Sequence, residues 1–178
     1  MAKTQSAYNL SDPSALLPES ITSNTSLAAW FYAVFIRIKN GIKFSVNKTA
    51  DQAIPDDTAT KVTWSTTILS DSIGGWDSTN NRYVVQMEGT YTFHAAALLE
   101  GAISGGKYFR ISLYKNGVAT HNVTTIGTST TSTSAAISAA MDLSPTDYIE
   151  VYVHHTVGGS TQLDGTAANT YFQGYRIN

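Results

Sequence analysis

Histidine and carboxylate side chains are the groups in this sequence that are best suited to chemistry. His154 and His155 are adjacent in a segment that reads as a β-strand. Successive strand residues point to opposite faces of a sheet, so these imidazoles converge on a metal ion only with help from elsewhere in the chain or from symmetry-related copies. We expect one ring to pack at an interface and the other to be exposed, and we assign no metal ligand.

The other two histidines give no site either. We expect His94 to meet solvent or a neighbouring protomer, and His121, which follows a hairpin turn, to be exposed. No serine lies in a G-x-S-x-G elbow, so a hydrolase triad has no nucleophile in that motif. The sequence predicts no catalytic residue.

The acidic residues lie mostly in predicted turns, where aspartate is favoured because its side chain bonds to the local backbone. Calcium binding by Asp56 with Asp57, or by Asp71 with Asp77, is compatible with oxygen-rich loops, but no EF-hand loop accompanies either pair. We therefore predict that the protein is not an enzyme and has no cofactor.

Composition excludes several other classes of function. Charged residues make up 13% of the 178 residues, about half the usual share, and the formal net charge is -2. Nucleic-acid binding requires a concentrated basic face, and no Lys/Arg cluster occurs. The chain has no cysteine, which excludes disulfides and Cys-ligated zinc.

The first 28 residues differ from the remainder of the chain. They are polar, contain Pro13 and Pro18, and show no helical or strand periodicity, so we predict an extended arm over 1–28 and one domain over 29–178. Met1 to Leu10 lack the apolar core of a signal peptide, which predicts synthesis in a cytoplasm. The ten apolar residues from Leu27 to Ile36 are too few to span a bilayer, so we expect no membrane insertion.

Beyond the arm, strand patterns recur with short connections. Residues 31–38 are typical of a buried strand, with a short helix over 27–35 as the open alternative. Asn-Gly pairs at 40–41 and 116–117 predict tight hairpins. We expect a turn cluster over 71–81, an exposed strand or loop over 124–134, and no convincing helix after residue 40. Further strands are predicted over 42–46, 60–69, 82–87, 91–99, 108–114, 118–123, 135–143, 148–154 and 171–177. Nine or ten such strands predict an all-β sandwich or jelly roll.

Three passages, in order, carry a family resemblance over about residues 40–178. They are Pro55 to Trp64 followed by Trp76 to Tyr83, then Val84 to Phe93 with its G-T-Y-T-F ending, and the closing Phe172-Gln-Gly-Tyr175. Together they resemble the C1q/TNF-like jelly-roll family. Gln86-Met-Glu88 departs from the family, since a proline-containing turn is common there. The Lys115-Asn-Gly hairpin is typical of bacterial and bacteriophage members.

The resemblance implies a compact homotrimer whose protomers pack through aromatic and aliphatic residues. The side chains that it points to as trimer interface or core are Tyr91, Phe93, Tyr152, Phe172 and Tyr175. Animal members are secreted and often follow collagen-like repeats, and neither a signal peptide nor a G-x-y run occurs here. The resemblance therefore favours the versions that form heads and knobs on phage particles.

From this resemblance we expect a bacteriophage virion structural protein on the capsid surface, made in the host cytoplasm. A trimeric decoration or cement protein would stabilise the head and bind the major capsid protein through its arm. The arm residues expected to make that contact are Tyr8, Leu10, Leu16, Leu17 and Ile21. We rank this above a fibre because the chain has no long shaft.

Two alternatives remain open. The first is a receptor-binding tip of a tail or head fibre that recognises host-surface glycans. In that role Trp76, beside Gly74 and Gly75 in a turn, is the aromatic side chain most expected to be exposed for contact with a sugar. The second is a free-standing C1q-like binding protein.

Overall fold

Thirteen β-strands make up the regular structure in the described part of the chain, which is residues 41–65, 68–127 and 131–177 of a computed structural model. The strands are β1 (Lys43–Asn47), β2 (Gln52–Ile54), β3 (Thr60–Lys61), β4 (Ile68–Asp71), β5 (Trp76–Asp77), β6 (Arg82–Val84), β7 (Gly89–Glu100), β8 (Tyr108–Lys115), β9 (Val118–Ile126), β10 (Thr133–Leu143), β11 (Tyr148–His155), β12 (Thr161–Leu163) and β13 (Tyr171–Arg176). These residues contain no helix, and therefore none long and apolar enough to cross a membrane.

The strands form two antiparallel sheets. The seven-stranded sheet runs β2-β12-β7-β13-β1-β4, with β10 along the other edge of β7. The six-stranded sheet runs β5-β6-β11-β8-β9, with β3 beside β11. Their inward side chains form one hydrophobic core, and the described residues from Ile42 onward belong to one compact unit. The predicted all-β jelly-roll architecture is confirmed.

Strand β7 shows why the core forms where it does. Its odd-numbered residues from Tyr91 to Leu99 are buried, while the residues between them are partly exposed. This alternation follows directly from the two-residue period of a strand. At one end of the core, the ring of Phe44 stacks on Tyr83 with centroids 4.2 Å apart and meets the edge of Phe172 at 4.8 Å.

The predicted hairpin at Asn116-Gly117 is confirmed. Both residues have positive φ, 53° and 80°, as a tight turn between β8 and β9 requires. Of the hairpin expected at Asn40-Gly41, the structure describes Gly41, which has a φ of 71°. Asn40, the strand or helix before it and the arm over 1–28 lie outside the described residues.

Two predicted segments are divided differently in the structure. The single strand expected over 60–69 is wrong, since β3 and β4 belong to different sheets. The residues between them cross from one sheet to the other: the Val62 amide donates to Val151 O at 2.9 Å, and the Ser65 amide donates to Asn47 O at 2.9 Å. The buried side chains of Val62 and Trp64 mimic a strand pattern along this crossing. Strand β5 also lies within the expected turn cluster.

Candidate protein-binding face

The outward side of the six-stranded sheet carries charged and aromatic side chains that pair with one another. The Lys61 ammonium lies 2.6 Å from the Glu150 carboxylate, whose side chain is only 6% exposed. The Arg82 guanidinium bonds to Asp77 at 3.0 Å and also lies over the ring of Tyr148. We call this surface the charged face; it consists of Lys61, Arg82, Tyr108, Arg110, Tyr114, Tyr148, Glu150, Tyr152 and His154.

Aromatic stacking completes the charged face. Tyr114 and Tyr152 stack with ring centroids 4.0 Å apart, and Tyr108 stacks on His154 at 5.5 Å. The guanidinium of Arg110 lies 5.0 Å from the Tyr108 ring centroid, within range of a cation–π contact. Lys61 and Arg82 are therefore paired with acidic side chains of the same chain, and Arg110 contacts the Tyr108 ring and the Thr124 hydroxyl.

The outward side of the seven-stranded sheet has a different chemistry. Its centre contains small and uncharged side chains from four neighbouring strands, and no Lys, Arg, Asp or Glu is among them. We call this surface the uncharged face; it consists of Ser45, Thr92, His94, Ala96, Ala136, Ser138, Ala140, Tyr171, Gln173 and Tyr175.

Sheet register places His94 at the centre of the uncharged face. It lies opposite Gln173 on β13 and opposite Ser138 on β10, and its ring stacks on Tyr175 with centroids 6.1 Å apart. Tyr175 itself is 50% exposed, a large apolar area for a side chain in the middle of a surface. The alanines and serines of β10 leave this part of the sheet low enough for another backbone to approach closely.

Formal charges occur only at the borders of the uncharged face. Lys43 lies at the start of β1, Glu100 at the end of β7 and Asp142 near the end of β10. Asp142 accepts a hydrogen bond of 2.6 Å from the Thr90 hydroxyl. An uncharged centre with a charged rim is the usual arrangement of a protein–protein interface.

Strand β9 offers a second uncharged surface. Among the described strands it pairs only with β8, and β10 approaches its other edge, where the Thr125 hydroxyl donates to Ser134 O at 3.3 Å. All of its residues except Thr125 are exposed, and Val118 and Ile126 reach 66% and 71% exposure. Natural edge strands are normally protected by charge, proline or a covering element, and β9 contains no formal charge and no proline.

The aromatic residues that the sequence predicted as interface or core separate into three places. Tyr91, Phe93 and Phe172 are at most 1% exposed and lie in the core. Tyr152 lies on the charged face and Tyr175 on the uncharged face. The predicted arm contacts Tyr8, Leu10, Leu16, Leu17 and Ile21 lie outside the described residues.

The expectation that Trp76 is exposed is wrong. Its side chain is 8% exposed and packs against Phe44 and Phe172, with ring centroids 5.8 Å and 6.2 Å away. The three backbone amides of Gly74, Gly75 and Trp76 donate to the Asp71 carboxylate, which turns the loop inward and carries the indole into the core. The turn residues were identified correctly, but the direction of the side chain was not.

The histidine pair lies as strand geometry requires. His155 is fully buried, and its Nε2 lies 3.0 Å from the carbonyl oxygen of Ile54. His154 points the other way, onto the charged face, with its Nε2 3.3 Å from the Asp57 carboxylate. The prediction that the two rings diverge is confirmed, and so is the exposure of His121. The expectation that one ring of the pair is exposed is wrong, since His155 is buried in the core and the side chain of His154 is 17% exposed.

The carboxylates considered for calcium are used by the fold. Besides Asp71, Asp77 bonds to Asn80 and Arg82, and these bonds lower the pKa of Asp77, the side-chain bond from Asn80 contributing most. The carboxylate of Asp56 accepts a 2.8 Å hydrogen bond from the Gly158 amide. These groups hold loops in shape, in agreement with the turn role expected from the sequence.

Sequence reasoning missed two polar features. Asp51, Glu100 and Asp164 place carboxylate oxygens within 4.8 Å of one another, although they are far apart in sequence. Lys48 is 3% exposed, and its ammonium donates to Gln52 Oε1, Thr63 O and Thr63 Oγ1. Burial lowers the pKa of Lys48 to about 8, an effect that the Asp51 carboxylate opposes. No spacing rule connects these residues, so no sequence signal could have identified either feature.

Solved structures of the C1q and TNF families share this fold. The globular domain of zebrafish complement 1qA protein aligns with a TM-score of 0.56 and 17% identity, over 77% of this chain and 98% of that one. Murine APRIL at pH 5.0 gives 0.59 and 13%, over 77% and 99%, and the Eiger TNF of S. frugiperda gives 0.58 and 12%, over 78% and 93%. No protein-family model and no curated protein matches the sequence. The domain therefore has the C1q/TNF-like jelly-roll fold.

Proposed function

We propose that this protein is a non-enzymatic structural protein that works as a homotrimer, with the uncharged face as the contact between copies. The observation that carries this proposal is the contrast between the two outward faces. Charged groups on one face are paired within the chain, whereas the other face leaves His94, Tyr175 and a row of small side chains with nothing packed over them among the described residues.

A three-fold ring requires two different patches on each copy, because its contacts are heterologous. The uncharged face supplies one patch, and the exposed strand β9 supplies the other. Neither contains a formal charge at its centre, so joining them leaves no buried ion without a partner. The exposed Val118 and Ile126 provide apolar area on the second patch.

Within this class, we propose that the trimer decorates and stabilises a bacteriophage capsid, with the N-terminal residues 1–28 binding the major capsid protein. The proposal is supported by the Lys115-Asn-Gly hairpin, which is typical of bacterial and bacteriophage members of the family that the sequence resembles. The carboxylates of Asp56, Asp71 and Asp77 support a non-enzymatic role, because each is engaged in holding a loop. The burial of Trp76 removes the aromatic side chain that was most expected to contact a sugar in the glycan-binding alternative.

The test is rebinding to capsids from which this protein has been stripped. Wild-type chain is compared with Ala140→Glu, which places a carboxylate in the uncharged face, and with Ala59→Glu, a matched change at an exposed loop alanine. A third variant, Leu16→Asp with Leu17→Asp, alters the arm. We expect wild type and Ala59→Glu to rebind at regular sites and to raise the melting temperature of the particle, and the other two to fail.

Different failures have different meanings. If wild-type trimers do not bind to the stripped capsids, the decoration role is wrong. If those trimers adhere to host cells, the receptor-binding role replaces it; if they bind neither target, the free-standing alternative does. Rebinding by Ala140→Glu at wild-type level overturns the assignment of the uncharged face.

A further inference from the structure

The uncharged face contains one histidine, His94, and the side chains around it determine whether a positive charge on its ring would be compensated. Histidine is the side chain that ordinarily changes charge between pH 5 and 8. His94 projects from the middle of β7, and on its own strand its neighbours on the same face are Thr92 and Ala96. No charge adjoins it along the strand.

The neighbouring strands also bring no compensating charge to His94. On β13 it faces Gln173, flanked by Tyr171 and Tyr175, and on β10 it faces Ser138. Beyond β13, the strand β1 presents Ser45 in the same row, while Lys43 lies at the border beside Tyr175. The phenol ring of Tyr175 stacks on the imidazole.

The nearest carboxylates on this side of the sheet are distant. Asp142 is four residues along β10 from Ser138, which is roughly 13 Å at the rise of a strand, and Glu100 is six residues along β7, roughly 20 Å. A positive charge on His94 therefore has no anionic partner among residues 41–65, 68–127 and 131–177 of its own copy. On the second patch, β9 contains no carboxylate and its titratable group is His121.

We propose that His94 makes the trimer sensitive to acid, so that protonation of the three imidazoles weakens assembly. The inference rests on the proposed trimer, and it adds a regulation to the same face. In a separated copy the imidazolium is free to be solvated. In the trimer it would be covered by uncharged groups, and burial of an unpaired charge is strongly unfavourable. Acid consequently favours separated copies.

The expected size of the effect follows from linkage. Histidine in water titrates near pH 6.5, so at pH 5.5 an imidazole that must lose its proton on burial weakens association about tenfold. Three equivalent imidazoles make the fall in the trimer association constant about a thousand-fold between pH 7.5 and pH 5.5. Separation should therefore be steep over a narrow pH range.

The experiment measures the mass of the full-length protein by sedimentation at pH 7.5 and pH 5.5. Wild type is compared with His94→Gln, which cannot take up a proton, and with His154→Gln, a matched change on the charged face. Tryptophan fluorescence at both pH values checks that the core around Trp64 and Trp76 stays folded. We expect wild type and His154→Gln to separate at pH 5.5 and His94→Gln to remain trimeric.

Each other result overturns a different statement. A wild-type trimer that is equally strong at both pH values contradicts the role of His94 and leaves the proposed trimer standing. Equal acid separation of wild type and His94→Gln shows that another group is responsible. A wild-type chain that is monomeric at pH 7.5 removes the trimer itself, and the inference with it.

Discussion

The charged face and the uncharged face are built from the same kind of strand, yet they differ in what they leave for a partner. On the charged face, Lys61 is paired with Glu150 and the ring of Tyr114 stacks on Tyr152. On the uncharged face, His94 stacks on Tyr175, but the central side chains form no ion pair. In a chain with only 13% charged residues, the placement of these few charges is the basis of the proposal that the charged face meets water and the uncharged face meets protein.

Both faces are supported by the same hydrophobic core, so we expect the largest loss of stability from a substitution in that core. Phe172 is fully buried between Phe44, Trp64 and Phe93. Replacing it with alanine should lower the free energy of unfolding by about 3–5 kcal/mol and disrupt both faces together. Calorimetry measures the loss. Tyr175→Ala, on the same strand but half exposed, is the control and should cost much less; a normal melting temperature for Phe172→Ala would contradict this packing.

A substitution confined to the charged face should lower the stability of the fold without changing the mass of the assembly. Glu150→Gln removes the anion that pairs with Lys61, and because Lys61 is 33% exposed water replaces part of the interaction. We expect a loss of about 1–2 kcal/mol in chemical denaturation and no change in the mass of the assembly. The exposed Glu88→Gln serves as the control. An altered assembly mass for Glu150→Gln would mean that the two faces are not independent.

The burial of Lys48 predicts that the free energy of unfolding rises with pH in the alkaline range. In the unfolded chain its ordinary pKa is 10.5, and in the folded chain burial lowers the pKa to about 8. Between these values the unfolded state binds more protons, so the free energy of unfolding should increase as pH rises from 8 toward 10.5.

Denaturation at several pH values below 10 checks this, since above that range the raised pKa of Tyr83 and Tyr91, caused mainly by burial, acts in the opposite direction. Lys48→Met should abolish the rise. If Lys48→Met retains the full rise, another group causes it.

The smallest effect concerns the hairpin between β8 and β9. Hydrogen bonds from the Asn116 side chain, the Ser144 amide and Lys115 lower the pKa of Asp147 to about 2. This carboxylate therefore stabilises the fold above its ordinary value of 3.8, and the contribution is lost as pH falls toward 2.

Asn116→Gly keeps the positive φ but removes the strongest of these bonds, and should cost about 1 kcal/mol near neutral pH. Titration of Asp147 by NMR should show its pKa rising toward the ordinary value. An unchanged titration would show that Asn116 does not hold the carboxylate.

The sequence was most informative where a local pattern has a single structural solution. Alternation along Tyr91 to Leu99 requires a strand with one buried side, and Asn116-Gly117 requires a turn with positive φ. The divergence of His154 and His155 follows from the same two-residue period. These features need no knowledge of distant contacts.

Features that depend on distant contacts could not be predicted. Trp76 is buried because its ring packs against Phe44 and Phe172, which come from distant parts of the chain, and no local pattern shows that direction. Lys48 is buried because Gln52 and Thr63 surround its ammonium. The segment 60–69 is divided between two sheets because β3 pairs with β11 and β4 pairs with β1. Both partner strands lie outside the segment, so its own residues do not show the division.

The most direct test of the account is the mass of the full-length protein in solution at pH 7.5, measured by light scattering on wild type, Ala140→Glu and Ala59→Glu. We predict three times the 19.1 kDa chain for wild type and Ala59→Glu, and a folded single chain for Ala140→Glu. A single-chain mass for wild type, or a trimer that tolerates Ala140→Glu, would contradict the claim that the uncharged face joins the copies.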